Sequence, residues 1–155
     1  MRSVFQRVKS ASVDIISDDG KFRNAEIGEG ALILVAVEND DTEDDAKWLA
    51  NKMAGMRVFE DADDKMNLSL KDVGGDALVV SQFTLFGNMR KGMRPSFNRS
   101  AHPDISVPLY EKFLEYLEFE LGKKVGRGVF GATMEVSLVN DGPVTIITDS
   151  RTREI

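Results

Sequence analysis

A chain of 155 residues with 42% hydrophobic content has the length of one compact domain and enough apolar residues to bury most of its unfolded surface. The absence of cysteine excludes disulfides, thiolate nucleophiles and sulfur-bound zinc, and a single histidine excludes a multi-histidine metal site, so no metal or cofactor is expected and any catalysis falls to hydroxyls, carboxylates and backbone. A formal net charge of -6 argues against wholesale attraction to a phosphate backbone, and with no apolar stretch of membrane length or secretory leader the expectation is a soluble, cytoplasmic protein without a membrane partner.

Residues 3–8 and 12–16 alternate in strand fashion toward the turn signal Asp18-Asp19-Gly20 and are expected as two strands with an elongated loop. The run 31–37 is apolar throughout, the mark of a central strand covered on both faces. Thr42 is placed to cap a first helix, with Glu43, Asp44 and Asp45 at the positive end of its dipole and a Glu43–Lys47 pair on its wet side. Ala46, Leu49, Met53 and Met56 form the buried stripe of that helix, and Gly55 marks its fraying. Residues 56–60 and 77–85 read as strands, the second entered through Gly74-Gly75.

A second helix is expected over 106–121, with Pro108 in the first turn, Leu109, Phe113, Leu117 and Leu121 on one side, and Gly122 as the stop. Residues 134–140 and 144–148 form a closing pair of strands joined by Asp141-Gly142-Pro143. Strands outnumber helices, which makes the fold α+β, with two main helices covering a curved, partly barrel-like and mostly antiparallel sheet.

Three hydrogen-bonding side chains, Ser81, Gln82 and Thr84, flank Phe83 at the end of a hydrophobic strand. Polar strand ends often face pockets, although hydroxyls on strands are more commonly structural. Asn140-Asp141-Gly142-Pro143-Val144-Thr145 places a Gly-Pro pair where an ordinary tight turn suffices, and sequence leaves the isomer of that peptide bond open. Arg90, Lys91, Arg94 and Arg99 make a basic loop with no acid inside it, able to grip a few phosphates or simply to be solvated. His102 reads as a surface histidine, and the acidic cluster 60–64 as a solvated turn lacking the glycine and distal glutamate of a calcium loop.

Taken together, the segment from Ser81 to Leu85 and the Gly142-Pro143 pair resemble the D-aminoacyl-tRNA deacylase family, also called D-tyrosyl-tRNA deacylase. Further matching residues occur in the family's order: Met1-Arg2 with Val4, Gln6-Arg7-Val8, Val58-Phe59-Glu60-Asp61, Lys65-Met66-Asn67-Leu68-Ser69, Arg90-Lys91-Gly92 with Arg94-Pro95-Ser96-Phe97, and Phe130-Gly131-Ala132 with Met134. The resemblance covers residues 1–150 as one deacylase domain and leaves 151–155 as a tail. Departures lie at 15–24, at Phe86-Gly87-Asn88 and at Met93.

The resemblance implies hydrolysis of the ester joining a D-amino acid to tRNA, extended to mischarged glycyl-tRNA, by a homodimer whose site is completed across the interface. It implies that Ser81, Gln82, Phe83 and Thr84 form the catalytic segment, with backbone amides near Phe83 and Thr84 at the carbonyl oxygen and either an oriented water or Thr84 as the attacking group. A cis Gly142-Pro143 bond, with Asn140, Val144 and Thr145 around it, is implied to exclude L-amino acids from the neighbouring subunit's pocket. Arg90, Lys91, Arg94 and Arg99 would hold tRNA phosphates. The rival from another class is a non-catalytic nucleic-acid-binding module associated with replication origins; a third alternative is a D-amino-acid-sensing or structural dimer.

Overall fold

Residues 1–153 are described by a computed structural model; Glu154 and Ile155, the end of the expected tail, lie outside the described residues. The chain opens with a single long strand, β1 (Arg2–Ser17), where two were expected. Exposed Lys9 and Ser10 interrupt the hydrophobic alternation, yet the backbone stays extended because Val8 and Ser10 keep strand partners at Asn140 and Val139. The turn at Asp18 and Asp19 leads into β2 (Gly20–Ile27), which pairs with the second half of β1. β3 (Gly30–Ala36) pairs antiparallel with the first half. A side chain at Gly30 would bring a Cβ to 1.9 Å from the Asp76 carbonyl oxygen, so glycine is what lets the next strand start there.

α1 (Glu43–Gly55) buries Ala46, Leu49, Ala50, Met53 and Ala54. The Asp45 carboxylate accepts from the Thr42 amide at 2.8 Å, while Glu43 takes the Tyr116 hydroxyl at 2.5 Å and not the expected Lys47. The region 56–60 yields only the short β4 (Phe59–Glu60), paired with β5 (Met66–Leu68). Between them Asp61 Oδ1 accepts from the amides of Asp63 and Lys65, the solvated turn anticipated for the acidic cluster. A one-turn helix, α2 (Leu70–Val73), follows Ser69. β6 (Asp76–Ser81) then runs parallel to β3.

β6 stops at Ser81, four residues before the expected strand end. Phe83 and Leu85 alternate with polar residues as a strand would, but Phe83–Phe86 winds into a 3-10 turn, a tighter winding used in short pieces such as this. α3 (Pro103–Leu121) starts three residues earlier than the spacing predicts. His102 Nδ1 accepts from the Asp104 amide at 3.3 Å, and Pro103 takes the first helical position, where its missing N–H costs nothing. Pro108 therefore lies inside the helix; the carbonyl it leaves without an amide is that of Asp104, in the exposed first turn.

The chain closes with β7 (Gly126–Arg127), parallel to β6, and β8 (Thr133–Asp149). The expected closing hairpin is not what forms: both halves of β8 pair with β1. Gln6 faces Thr145 and Val8 faces Asn140, so residues 141–144 are thrown out of the ladder as a bulge. The order is β2-β1-β3-β6-β7 with β8 on β1, antiparallel except at β3–β6 and β6–β7. Asn24 Nδ2 donates to the Arg127 carbonyl at 2.6 Å, bringing the far strands together and curling the sheet toward a barrel.

This curl makes two apolar regions. One lies between the sheet and the helices, joining Phe5, Ile33 and Val79 to Leu49, Met53, Phe113 and Leu117. The other lies within the curled strands and contains Val8, Val13, Leu32, Leu78 and Val80.

Candidate active site

Parallel strands β3 and β6 end side by side, with Ser81 opposite Val35. The Gln82 amide donates to the Val35 carbonyl at 2.8 Å, extending the ladder by one bond before the chain turns. In the 3-10 turn the first internal bond runs from the Leu85 amide to the Gln82 carbonyl at 3.2 Å, and the Gly87 amide closes it on the Thr84 carbonyl at 3.0 Å. The amides of Phe83 and Thr84 precede that first bond and are the donors that such a turn does not satisfy internally. Ser100 Oγ donates to the Phe83 carbonyl at 2.9 Å, tying the turn to the segment ahead of α3.

A cavity of about 490 Å3 opens beside this turn. Ser81, Gln82 and Phe83 line it, and Ser106, Tyr110 and Phe130 lie on its walls. Thr84 is not among the lining residues; its hydroxyl is hydrogen-bonded to Gln82 Nε2. Phe83 is 59% exposed and meets Phe97 edge-on, the ring centroids 5.1 Å apart. Burial pushes the Tyr110 hydroxyl up to about 12; it donates to the Val79 carbonyl at 3.4 Å.

Sequence reasoning assigned no role to Tyr110 or Ser106. Phe130 and Met134 carried the resemblance without being placed in a pocket, although the structure puts both on the cavity.

The second expected group assembles elsewhere on the chain. The Gly142–Pro143 peptide bond is cis, and Gly142 has φ +121. Asn140 closes the neck of the bulge, its Nδ2 donating to the Arg7 carbonyl at 2.9 Å and the Val144 carbonyl at 3.0 Å. Buried Arg7 braces the bulge from beneath, Nε reaching the Asp141 carbonyl at 3.2 Å and Nη1 the Val58 carbonyl at 2.7 Å. Val144 packs into the main core, and Thr145 Oγ1 accepts from Gln6 Nε2 at 3.3 Å. None of residues 140–145 lines the cavity beside Ser81.

The basic loop is a hairpin closed by the reciprocal Asn88 and Ser96 main-chain bonds of 2.8 and 2.9 Å. Phe97, next to its closing Ser96, contacts Phe83, which lines the cavity. Arg90, Lys91 and Arg94 are exposed on the hairpin and join no ion pair among the described residues. Arg99 is set apart from them, its Nε 2.6 Å from Glu38 Oε1 and its guanidinium 5.0 Å from the Phe86 ring centre. No helix among the described residues is long and apolar enough to cross a membrane.

In sequence the chain is similar to a class of hydrolases that act on aminoacyl-tRNA esters. D-aminoacyl-tRNA deacylases of Flavobacterium psychrophilum and Akkermansia muciniphila are 52% and 55% identical to this chain, each over 99% of the chain and all of the relative. The family model described as D-Tyr-tRNA(Tyr) deacylase matches residues 4–149, and the chain belongs to that family. Among solved structures, a c-Myc DNA unwinding element binding protein superposes with a TM-score of 0.87 at 35% identity, covering 96% of this chain and 98% of the other. A probable eukaryotic D-amino acid tRNA deacylase superposes with a TM-score of 0.80 at 18% identity, covering 94% and 97%, a likeness of fold.

Proposed function

We propose that the protein hydrolyses the ester of D-aminoacyl-tRNA, releasing free D-amino acid and intact tRNA. The observation that carries this reading is the cavity edged by Ser81, Gln82 and Phe83, in a chain about half identical to deacylases over their full length. Water adds to the ester carbonyl carbon, negative charge builds on the carbonyl oxygen, and the carbon–oxygen bond to the terminal ribose breaks with a proton passing to the departing ribose oxygen. Amides of Phe83 and Thr84 stabilise the developing oxyanion, the kind of preorganised donor that gives large rate effects. Ser81 and Gln82 shape the pocket for the adenosine and ester, and the ribose 2′-hydroxyl assists the water.

The working unit in this proposal is a homodimer. Because the 141–144 bulge does not line the cavity of its own protomer, it is assigned to the cavity of a second copy. There the main-chain carbonyls of Gly142 and Pro143 hold the substrate ammonium and fill the space an L-side chain needs. Glycine has no side chain to exclude, so glycyl-tRNA is also a substrate. Arg90, Lys91 and Arg94 grip phosphates of the acceptor end, and the substrate places the enzyme in the cytoplasm.

Release of labelled amino acid from matched D- and L-aminoacyl-tRNA tests this directly. The expected outcome is rapid release of the D-amino acid and of glycine, with the L-ester decaying at its spontaneous rate; equal rates for the two hands would end the filter model. The likeness to a DNA unwinding element binding protein supports a second reading as a nucleic-acid-binding module. That reading predicts duplex-DNA binding at physiological salt with the D-ester left intact.

A further inference from the structure

The turn that presents the Phe83 and Thr84 amides is four residues long and has too few internal bonds to set its own direction. It is held from behind. Arg2 Nη1 donates to the Leu85 carbonyl at 3.0 Å, and the Arg2 guanidinium carbon lies 4.9 Å from the centre of the Phe86 ring, which is only 1% exposed. Arg2 is aimed in turn by Asp149. Its Nε and Nη2 both lie 3.1 Å from Asp149 Oδ2, while Oδ1 of that buried carboxylate accepts the Arg151 amide at 3.0 Å. One planar guanidinium therefore ties the start of β1, the end of β8 and the turn into a single unit. Fixed fork geometry of this kind transmits position better than a flexible ammonium does.

We propose that Arg2, oriented by Asp149, is a positioning residue for ester cleavage. It does not line the cavity and acts through the Leu85 carbonyl and the Phe86 ring, keeping the two amides aimed at the carbonyl oxygen. The proposal rests on the deacylase reading above. A shift of about 1 Å in such a donor costs on the order of a hundredfold in rate, so loss of the clamp falls on the chemical step and spares tRNA binding.

The test compares the full-length wild type with Arg2→Met, Arg2→Lys and Asp149→Asn. It reads the single-turnover rate of D-aminoacyl-tRNA cleavage, the half-saturating tRNA concentration, and hydrogen exchange at the Leu85 and Gly87 amides, whose acceptors lie within the Gln82-to-Gly87 segment. Arg2→Met is expected to slow cleavage by roughly tenfold to a hundredfold with little change in half-saturation and with faster exchange at both amides. Arg2→Lys is expected to stay close to Arg2→Met, since an ammonium cannot hold Asp149, the Leu85 carbonyl and the Phe86 ring at once. A wild-type rate in Arg2→Met or in Arg2→Lys, or a loss confined to half-saturation, overturns the proposal. If Arg2→Met does not fold, Asp149→Asn decides: a slower rate with faster exchange supports the clamp, and wild-type values for both overturn it. A wild type that leaves the D-ester intact sinks the deacylase reading, and the exchange measurement still decides whether Arg2 holds the turn.

Discussion

Thr84 is the hydroxyl with the best claim to be a nucleophile by position in the sequence, and its surroundings argue against that role. Its hydroxyl is engaged by the Gln82 side-chain amide, a donor and not a base. Thr84→Ala is therefore expected to retain substantial single-turnover hydrolysis; complete loss with normal tRNA binding would favour attack by Thr84. Tyr110, on the cavity wall, makes a pH prediction. Its folded pKa of about 12 lies above the ordinary value of 10.0 because burial disfavours the phenolate. Raised folded affinity for the proton stabilises the fold fully below pH 10, and this contribution drains away as pH rises toward 12, where the native state still binds a proton that the unfolded chain has lost. The loss amounts to about 2 to 3 kcal/mol. Denaturation of Tyr110→Phe alongside wild type across that window should show wild type alone carrying the extra alkaline decline, and parallel curves would contradict the assignment.

Among the elements, the 88–96 hairpin carries the clearest electrostatic expectation. Three cations that join no ion pair among the described residues, on a protein of net charge -6, concentrate the attraction for phosphate in one projection. Replacing Arg90, Lys91 and Arg94 with glutamine should flatten the dependence of log affinity on log salt by roughly 0.7 to 0.9 for each phosphate left without its cation. Arg99→Gln should leave that slope alone, because Glu38 already holds its charge; titrations of tRNA binding at several salt concentrations separate the two. Such elements differ in how far sequence discloses them. The apolar run of β3 and the Thr42 and Gly122 helix ends are legible because one local pattern decides each. The course of β8 is not, since alternation marks a strand without saying which strand it joins, and both its halves chose β1. β6 ends before the alternation does, because Phe83 and Leu85 keep a strand-like pattern while their backbone coils. Tyr110 and Phe130 reach the cavity through tertiary packing that no local spacing encodes.

At the scale of the whole molecule, the cavity beside Ser81 and the cis Gly142–Pro143 bulge sit apart on the chain, and the proposed homodimer rests on that separation. The structure also shows how its two apolar regions are related. Phe5 belongs to the layer under the helices and Val8 and Val13 to the interior of the curl, yet all three lie on the same unbroken strand. Neither region can melt while the other keeps β1 in place, so the protein should lose structure all at once. Helical circular dichroism, Trp48 fluorescence and exchange of the slowest β1 amides are expected to report one shared midpoint under denaturant; a helical layer that dissolves before the curled strands would mean that the strand does not couple them.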